Sequence, residues 1–174
     1  MFKDIIEDIG TGRVLGFFGD KNFPNNAQGK GLKDKKEAIQ RLQSLLLALK
    51  PKKVYVCPEL GLSYTIMSLL GSMGIPYSVV NPYCGYFDNI PQRAKLRMFM
   101  GLENSASVIT ISEDKPNTVV DARKTVEEAE TFIIDNSEVI LTALGNNPNR
   151  HLVETTEKLL ESTNKRVITL SYAT

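Results

Sequence analysis

The sequence predicts an α/β protein of three layers, a mainly parallel sheet of about six strands with helices on both faces. Three observations predict it: six short runs rich in β-branched and aromatic residues, helical periodicity between them, and glycine or proline at the junctions. Strands separated by crossovers of this length favour right-handed βαβ units, hence a parallel sheet covered on both sides.

The elements follow in order. The first dozen residues predict a short helix packed on the edge of the sheet. Arg13 to Phe18 (RVLGFF) is the first strand, ended by Gly19 and followed by a polar loop to Gly31. Ala38, Ile39, Leu42, Leu45, Leu46 and Leu49 recur at helical spacing from Lys35 to Lys50, and Pro51 stops the helix. Lys53 to Cys57 (KVYVC) is the second strand. A mostly apolar helix from Ser63 to Met73 follows, ended by Gly74, and Ile75 to Val80 (IPYSVV) is the third strand. The loop Asn81 to Asn89 leads to a helix beginning at Pro91, a residue suited to a first helical turn. Ser107 to Ser112 (SVITIS) is the fourth strand, followed by the loop EDKPNT and a helix from Ala122 to Asn136. Glu138 to Leu144 (EVILTAL), a helix from Arg150 to Ser162, and Arg166 to Tyr172 (RVITLSY) complete the pattern. With no repeat or linker, residues 1–174 read as one domain.

The 174 residues are 42% hydrophobic and 24% charged, enough for a core that needs no covalent staples. Twenty-one Lys and Arg against 20 Asp and Glu leave a net charge of +1, which argues against nucleic acid or an acidic membrane as partner. The one basic cluster, Lys30, Lys33, Lys35 and Lys36, reads as a solvated loop beside Asp34 and Glu37. Cys57 and Cys84 have no zinc-type spacing, and with His151 the only histidine no metal site is expected. The opening MFKDIIEDIGTGR has acids among its apolar residues, so neither signal peptide nor anchor is expected, and reduced thiols suit a cytoplasmic protein.

In open parallel sheets ligands bind outside the carboxyl ends of the strands. That rule nominates the loops beginning at Gly19, Pro58, Asn81, Glu113 and Gly145. Neither GxGxxG nor GxxxxGK[ST] is present, which weighs against ordinary dinucleotide-dependent hydride transfer and P-loop ATP hydrolysis, and no cofactor is expected. In the PELGLS turn, Pro58, Gly61, Leu62 and Ser63 offer either a phosphate or ribose contact or simple helix packing, with Ser63 as the cap. Glu59 is either the carboxylate of a glycosidic-bond reaction or an exposed loop acid. Asp20 and Lys21 could face a ribose and a phosphate. Tyr83, Tyr86 and Phe87 could stack a base or cover the sheet edge. Arg123 could meet an anion, whereas Glu127, Glu128 and Glu130 read as a solvated face with an i,i+4 pair to Arg123 and Lys124. His151 has no sequence neighbour that makes it catalytic, and Cys84 has none that activates it.

Several phrases resemble the SLOG superfamily of Rossmann-like proteins, which includes DprA and the LOG phosphoribohydrolases, and the YpsA-like group most of all. VLGFFGDKNF resembles its first strand and glycine loop, and KKVYVCPELGLSYTIMSLL its second strand, turn and helix. IPYSVVNP resembles its third strand, and FIIDNSEVILTAL its later helix-to-strand segment with Ser137 and Glu138. The chain departs from the family at Pro58, Glu59, Ser63, Ala129 and Glu130 and in GNNPNRH, and the LOG signature PGGxGTxxE is absent. The resemblance implies a Rossmann-like fold and the binding or sensing of a nucleotide or nucleotide-derived molecule. The strand-end rule and the resemblance together place the ligand at Gly19, Asp20, Lys21, Pro58, Gly61, Leu62, Ser63, Asn81, Pro82, Tyr83, Gly145 and Asn146. Two alternatives stand beside it: a nucleotide N-glycosidase or deoxyribosyltransferase-like enzyme using Glu59, and a non-catalytic interaction domain with a degenerate pocket. Homo-oligomers are expected, and an exposed Met98, Phe99, Met100 cluster would favour the interaction domain.

Overall fold

The computed structural model describes residues 3–20, 31–58, 61–144 and 150–171. In these, six helices and six strands alternate: α1 (Lys3–Ile9), β1 (Val14–Gly19), α2 (Gly31–Leu49), β2 (Lys53–Val56), α3 (Leu62–Met73), β3 (Tyr77–Tyr83), α4 (Gln92–Glu103), β4 (Ser107–Ser112), α5 (Val119–Asp135), β5 (Val139–Leu144), α6 (Arg150–Ser162) and β6 (Arg166–Ser171). The strands form one all-parallel sheet in the order β4-β3-β2-β1-β5-β6. This is the three-layer Rossmann-like architecture that the strand and helix pattern predicts.

The strand side chains alternate between two cores, as a twofold pleat requires. Leu15 and Phe17 of β1, Val54 and Val56 of β2, and Leu141 and Ala143 of β5 face α2, α3 and α4, where Leu46, Ile66 and Met98 are buried against them. Phe18, Cys57, Val80 and Ile140 face the opposite way, toward Ala129 and Ile133 of α5 and Leu152 and Leu159 of α6. Of the positions the periodicity selects in α2, Ala38, Leu42, Leu45, Leu46 and Leu49 are buried and Ile39 is half-buried against the same core. Ile9 of α1 joins the same core.

Local chemistry moves several boundaries from their sequence positions. The α5 helix begins at Val119 because the Thr118 side chain accepts from the Asp121 N–H at 3.1 Å, an N-cap inside the stretch that reads as loop. Gly61, at φ 80°, is the N-cap of α3, and no side-chain cap bond is made there, so the capping role expected of Ser63 is not what starts the helix. Pro91 is the N-cap of α4 rather than its first helical residue. The third strand runs through Asn81 and Pro82 to Tyr83, with Asn81 beside Thr110 and Tyr83 beside Ser112. Proline is tolerated there because the register with β2 ends at Val79, leaving one side of β3 without a ladder partner among the described residues.

Strands β1 to β4 step outward in one direction, and α5 then carries the chain back across β3 and β1 to place β5 on the other side of β1. The switch point therefore lies between β1 and β5.

Candidate functional site

A cleft of about 780 Å³ opens at the carboxyl ends of the strands, on the face that carries α5 and α6. Its floor is Phe18 and Gly19 at the end of β1 and Cys57 beyond β2. Its walls are α5 from Val119 to Glu130 and α6 from Arg150 to Lys158, with Ser63 of α3 and Tyr86 also lining it. Ligands in open α/β sheets bind at such a switch point.

Three helix amino termini open into this cleft: α3 through Ser63, α5 through Val119 and Ala122, and α6 through Arg150 and His151. The aligned peptide dipoles give each of these helices a partial positive charge at its amino end. Gly19 permits α3 to approach the end of β1 closely. A Cβ built on it would lie 2.8 Å from Leu62 Cβ and 2.9 Å from the Ser63 backbone nitrogen. The junction is tied by the Leu62 N–H, which donates to the Asp20 carbonyl at 3.2 Å, and by the Asp20 N–H, which donates to Ala143 at 3.0 Å.

The structure divides the residues nominated from sequence. Gly19 and Ser63 line the cleft, with Gly61 and Leu62 forming the turn beneath them. Pro58 is buried beside that turn. Asp20 is wholly buried and contributes its backbone rather than a surface carboxylate. Asn81, Pro82 and Tyr83 belong to β3 and lie off the cleft wall, with Asn81 Oδ1 buried and without a hydrogen-bond partner among the described residues. Of the aromatic cluster, Tyr86 reaches the cleft, packed edge-on against Tyr83 at 5.2 Å and Phe87 at 5.7 Å. Lys21, Glu59, Gly145 and Asn146 lie outside the described residues.

Glu130, read from sequence as part of a solvated face, and His151, given no catalytic role there, meet in the wall. Glu130 is not on a solvated face: its side chain is 11% exposed, and His151 Nε2 lies 2.7 Å from its Oε1. Thr155 Oγ1 donates to the other oxygen at 3.3 Å. An ionised carboxylate only accepts, so with Glu130 in that form the contact uses the His151 tautomer that carries its proton on Nε2. The pairing joins α5 to α6 across 21 residues of sequence, and no local pattern announces it. The one available signal was the i,i+4 spacing of His151 and Thr155, which puts both on one face of α6. Arg123, Glu127 and Lys158 complete the charged rim, with Arg150 paired to Glu154 at 2.8 Å; the expected pair of Arg123 with Glu127 is not formed.

At the opposite end of the sheet, Ser137 and Glu138 have a structural task. Ser137 Oγ donates to the Ile133 carbonyl at 2.6 Å, and Glu138 Oε2 accepts from the Val14 N–H at 2.8 Å. The Glu138 carboxyl is held below its ordinary value chiefly by that backbone N–H, with Arg13 and Lys52 adding to it. Among the described residues no three metal-ligating side chains cluster, and no helix is long and apolar enough to cross a membrane.

The fold and cleft define a parallel α/β protein with a crevice at its switch point, lined by the amino-terminal turns of three helices. No family model matches the chain, and no curated protein matches it in sequence.

Proposed function

We propose that the cleft binds a phosphate-bearing small molecule of the nucleotide type, and that the protein acts as its binder or sensor. The observation that carries this reading is the convergence of three helix amino termini on one cleft at the switch point. Phosphate is the common biological anion that such termini hold, through backbone N–H groups and the helix dipole. Arg123 and Lys158 on the rim add positive charge, and Tyr86 offers a ring edge to a base. The SLOG-like phrases of the sequence, which centre on Gly19 and the Gly61 turn, support the same reading.

A thermal-shift screen with AMP, ADP-ribose, NAD and cyclic nucleotides tests it. A ligand at one hundred times its Kd stabilises by about 2.7 kcal/mol and raises Tm by several degrees. Arg123→Glu, an exposed change of small effect on stability, is expected to reduce that shift. No shift with any probe refutes the reading.

A second reading is favoured by one specific observation. Val108 on the edge strand β4 and Leu96, Phe99 and Met100 on α4 are all exposed, while Met98 between them is buried. We propose that this edge, whose strand SVITIS carries no charge or proline, serves self-association. Light scattering coupled to size exclusion is expected to give a dimer mass, and a monomer at high concentration refutes it.

A further inference from the structure

We propose that Glu130 is the receptor for a vicinal diol, so that the cleft takes ribose-bearing ligands and rejects their 2′-deoxy counterparts. This deepens the nucleotide reading and rests on it for the identity of the rest of the ligand.

The inference begins from hydrogen-bond capacity. An ionised carboxylate offers about four lone-pair positions and no donor. Two positions on Glu130 are taken, one by His151 at 2.7 Å and one by Thr155 at 3.3 Å. Glu130 lines the cleft with only 11% of its side chain exposed, so the cleft is the side from which a ligand can reach its remaining acceptor capacity. A buried carboxylate with capacity to spare calls for O–H or N–H donors from the ligand.

The geometry of the cluster selects the donor. His151 from α6 fixes one oxygen and Thr155, one turn further along, fixes the other, so both oxygens are held in place before any ligand arrives. Two neighbouring hydroxyls, one to each oxygen, match a fixed carboxylate, as the cis 2′- and 3′-hydroxyls of ribose do. A phosphate cannot take this position because it would set two anions against each other, whereas the helix amino termini elsewhere in the cleft favour it. The ligand is thereby oriented, with its anion toward the helix termini and its diol toward Glu130.

The test measures affinities for two matched pairs by calorimetry: AMP with 2′-deoxy-AMP, and ribose 5-phosphate with 2-deoxyribose 5-phosphate. Loss of a hydrogen bond to a charged group predicts about 10- to 100-fold weaker binding of each deoxy partner to the wild-type protein. Glu130→Gln keeps the shape but replaces one acceptor oxygen by a donor, and is expected to bring the ribo to deoxy ratio near one. A purely structural role for Glu130 would weaken both partners alike and leave that ratio intact, which overturns the assignment. Equal binding of AMP and 2′-deoxy-AMP to the wild type overturns the diol receptor while leaving the nucleotide reading in place. Discrimination between the two sugar phosphates without binding of either nucleotide upholds the receptor and removes the nucleotide. Absence of binding by all four compounds overturns both.

Discussion

Replacing Gly19 by alanine probes the junction on which the cleft is built. The added methyl would stand 2.8 Å from Leu62 Cβ and from Phe17 Cε1, and 2.9 Å from the Ser63 nitrogen. Ordinary contact begins near 3.4 Å, and one of these three neighbours is main chain that cannot rotate away. Relief requires α3 to move off β1, which strains the Leu62 N–H bond to Asp20 and opens a fully packed core around Phe17 and Leu62. Overpacking of this kind costs about 1–3 kcal/mol. In a domain of this size about 2 kcal/mol lowers Tm by roughly 4–8 °C. The matched control is Gly71→Ala in the same helix, where a new Cβ meets nothing within 4 Å. Removal of a helix-interior glycine there is expected to stabilise by about 0.5–1 kcal/mol. Urea titrations followed by circular dichroism read both variants. Gly19→Ala as stable as the parent would refute the close approach of α3 to β1.

Further outcomes follow from other contacts. The depressed Glu138 carboxyl contributes stability that is complete above the ordinary glutamate range and is lost as pH falls through its lowered folded value. The stability gap between the parent and Glu138→Gln, measured by urea titration, is therefore expected to close on acidification, and a gap that widens contradicts it. The Tyr77 hydroxyl donates to the Gly101 carbonyl and ties α4 to β3, and burial pushes its ionisation up. Tyr77→Phe leaves that carbonyl without its donor and is expected to cost about 1 kcal/mol in the same assay. Val108→Lys places a charge on the open edge of β4 and is expected to convert the proposed dimer to monomer in light scattering.

The fold was largely legible because its signals are local and periodic. VLGFF and VILTAL announce buried parallel strands by their composition, and the leucines of α2 announce one buried helix face. Errors at boundaries came from side-chain and backbone bonds that override composition, as with the Thr118 cap and the continuation of β3 through Pro82. Part of the site was also legible, because the switch-point rule depends only on topology and selected Gly19 and the Gly61 to Ser63 turn. Glu130 and His151 were not. Glu130 sits in a charged stretch that reads as a solvated face, His151 has no sequence neighbour that singles it out, and what buries the carboxylate is an approach of two helices that no short window of sequence contains. Asn81 and Asp20, polar residues that the rule places at strand ends, are buried in or against the sheet, which composition alone does not announce.

The return of the chain across the sheet by α5 also sets an order of events. The central strand β1 waits for a partner 124 residues away, since the Val14 N–H reaches Glu138 and Leu15 lies beside Val139. Contacts of such long separation form slowly, after the local βαβ units between them. During synthesis, β1 to β4 can assemble as an open half-sheet while one flank of β1 stays bare. The cleft has no second wall until α6 has emerged and Glu130 has met His151. A ligand of the proposed kind would thus be held only once α6 is in place, and binding would preferentially trap that last step of folding.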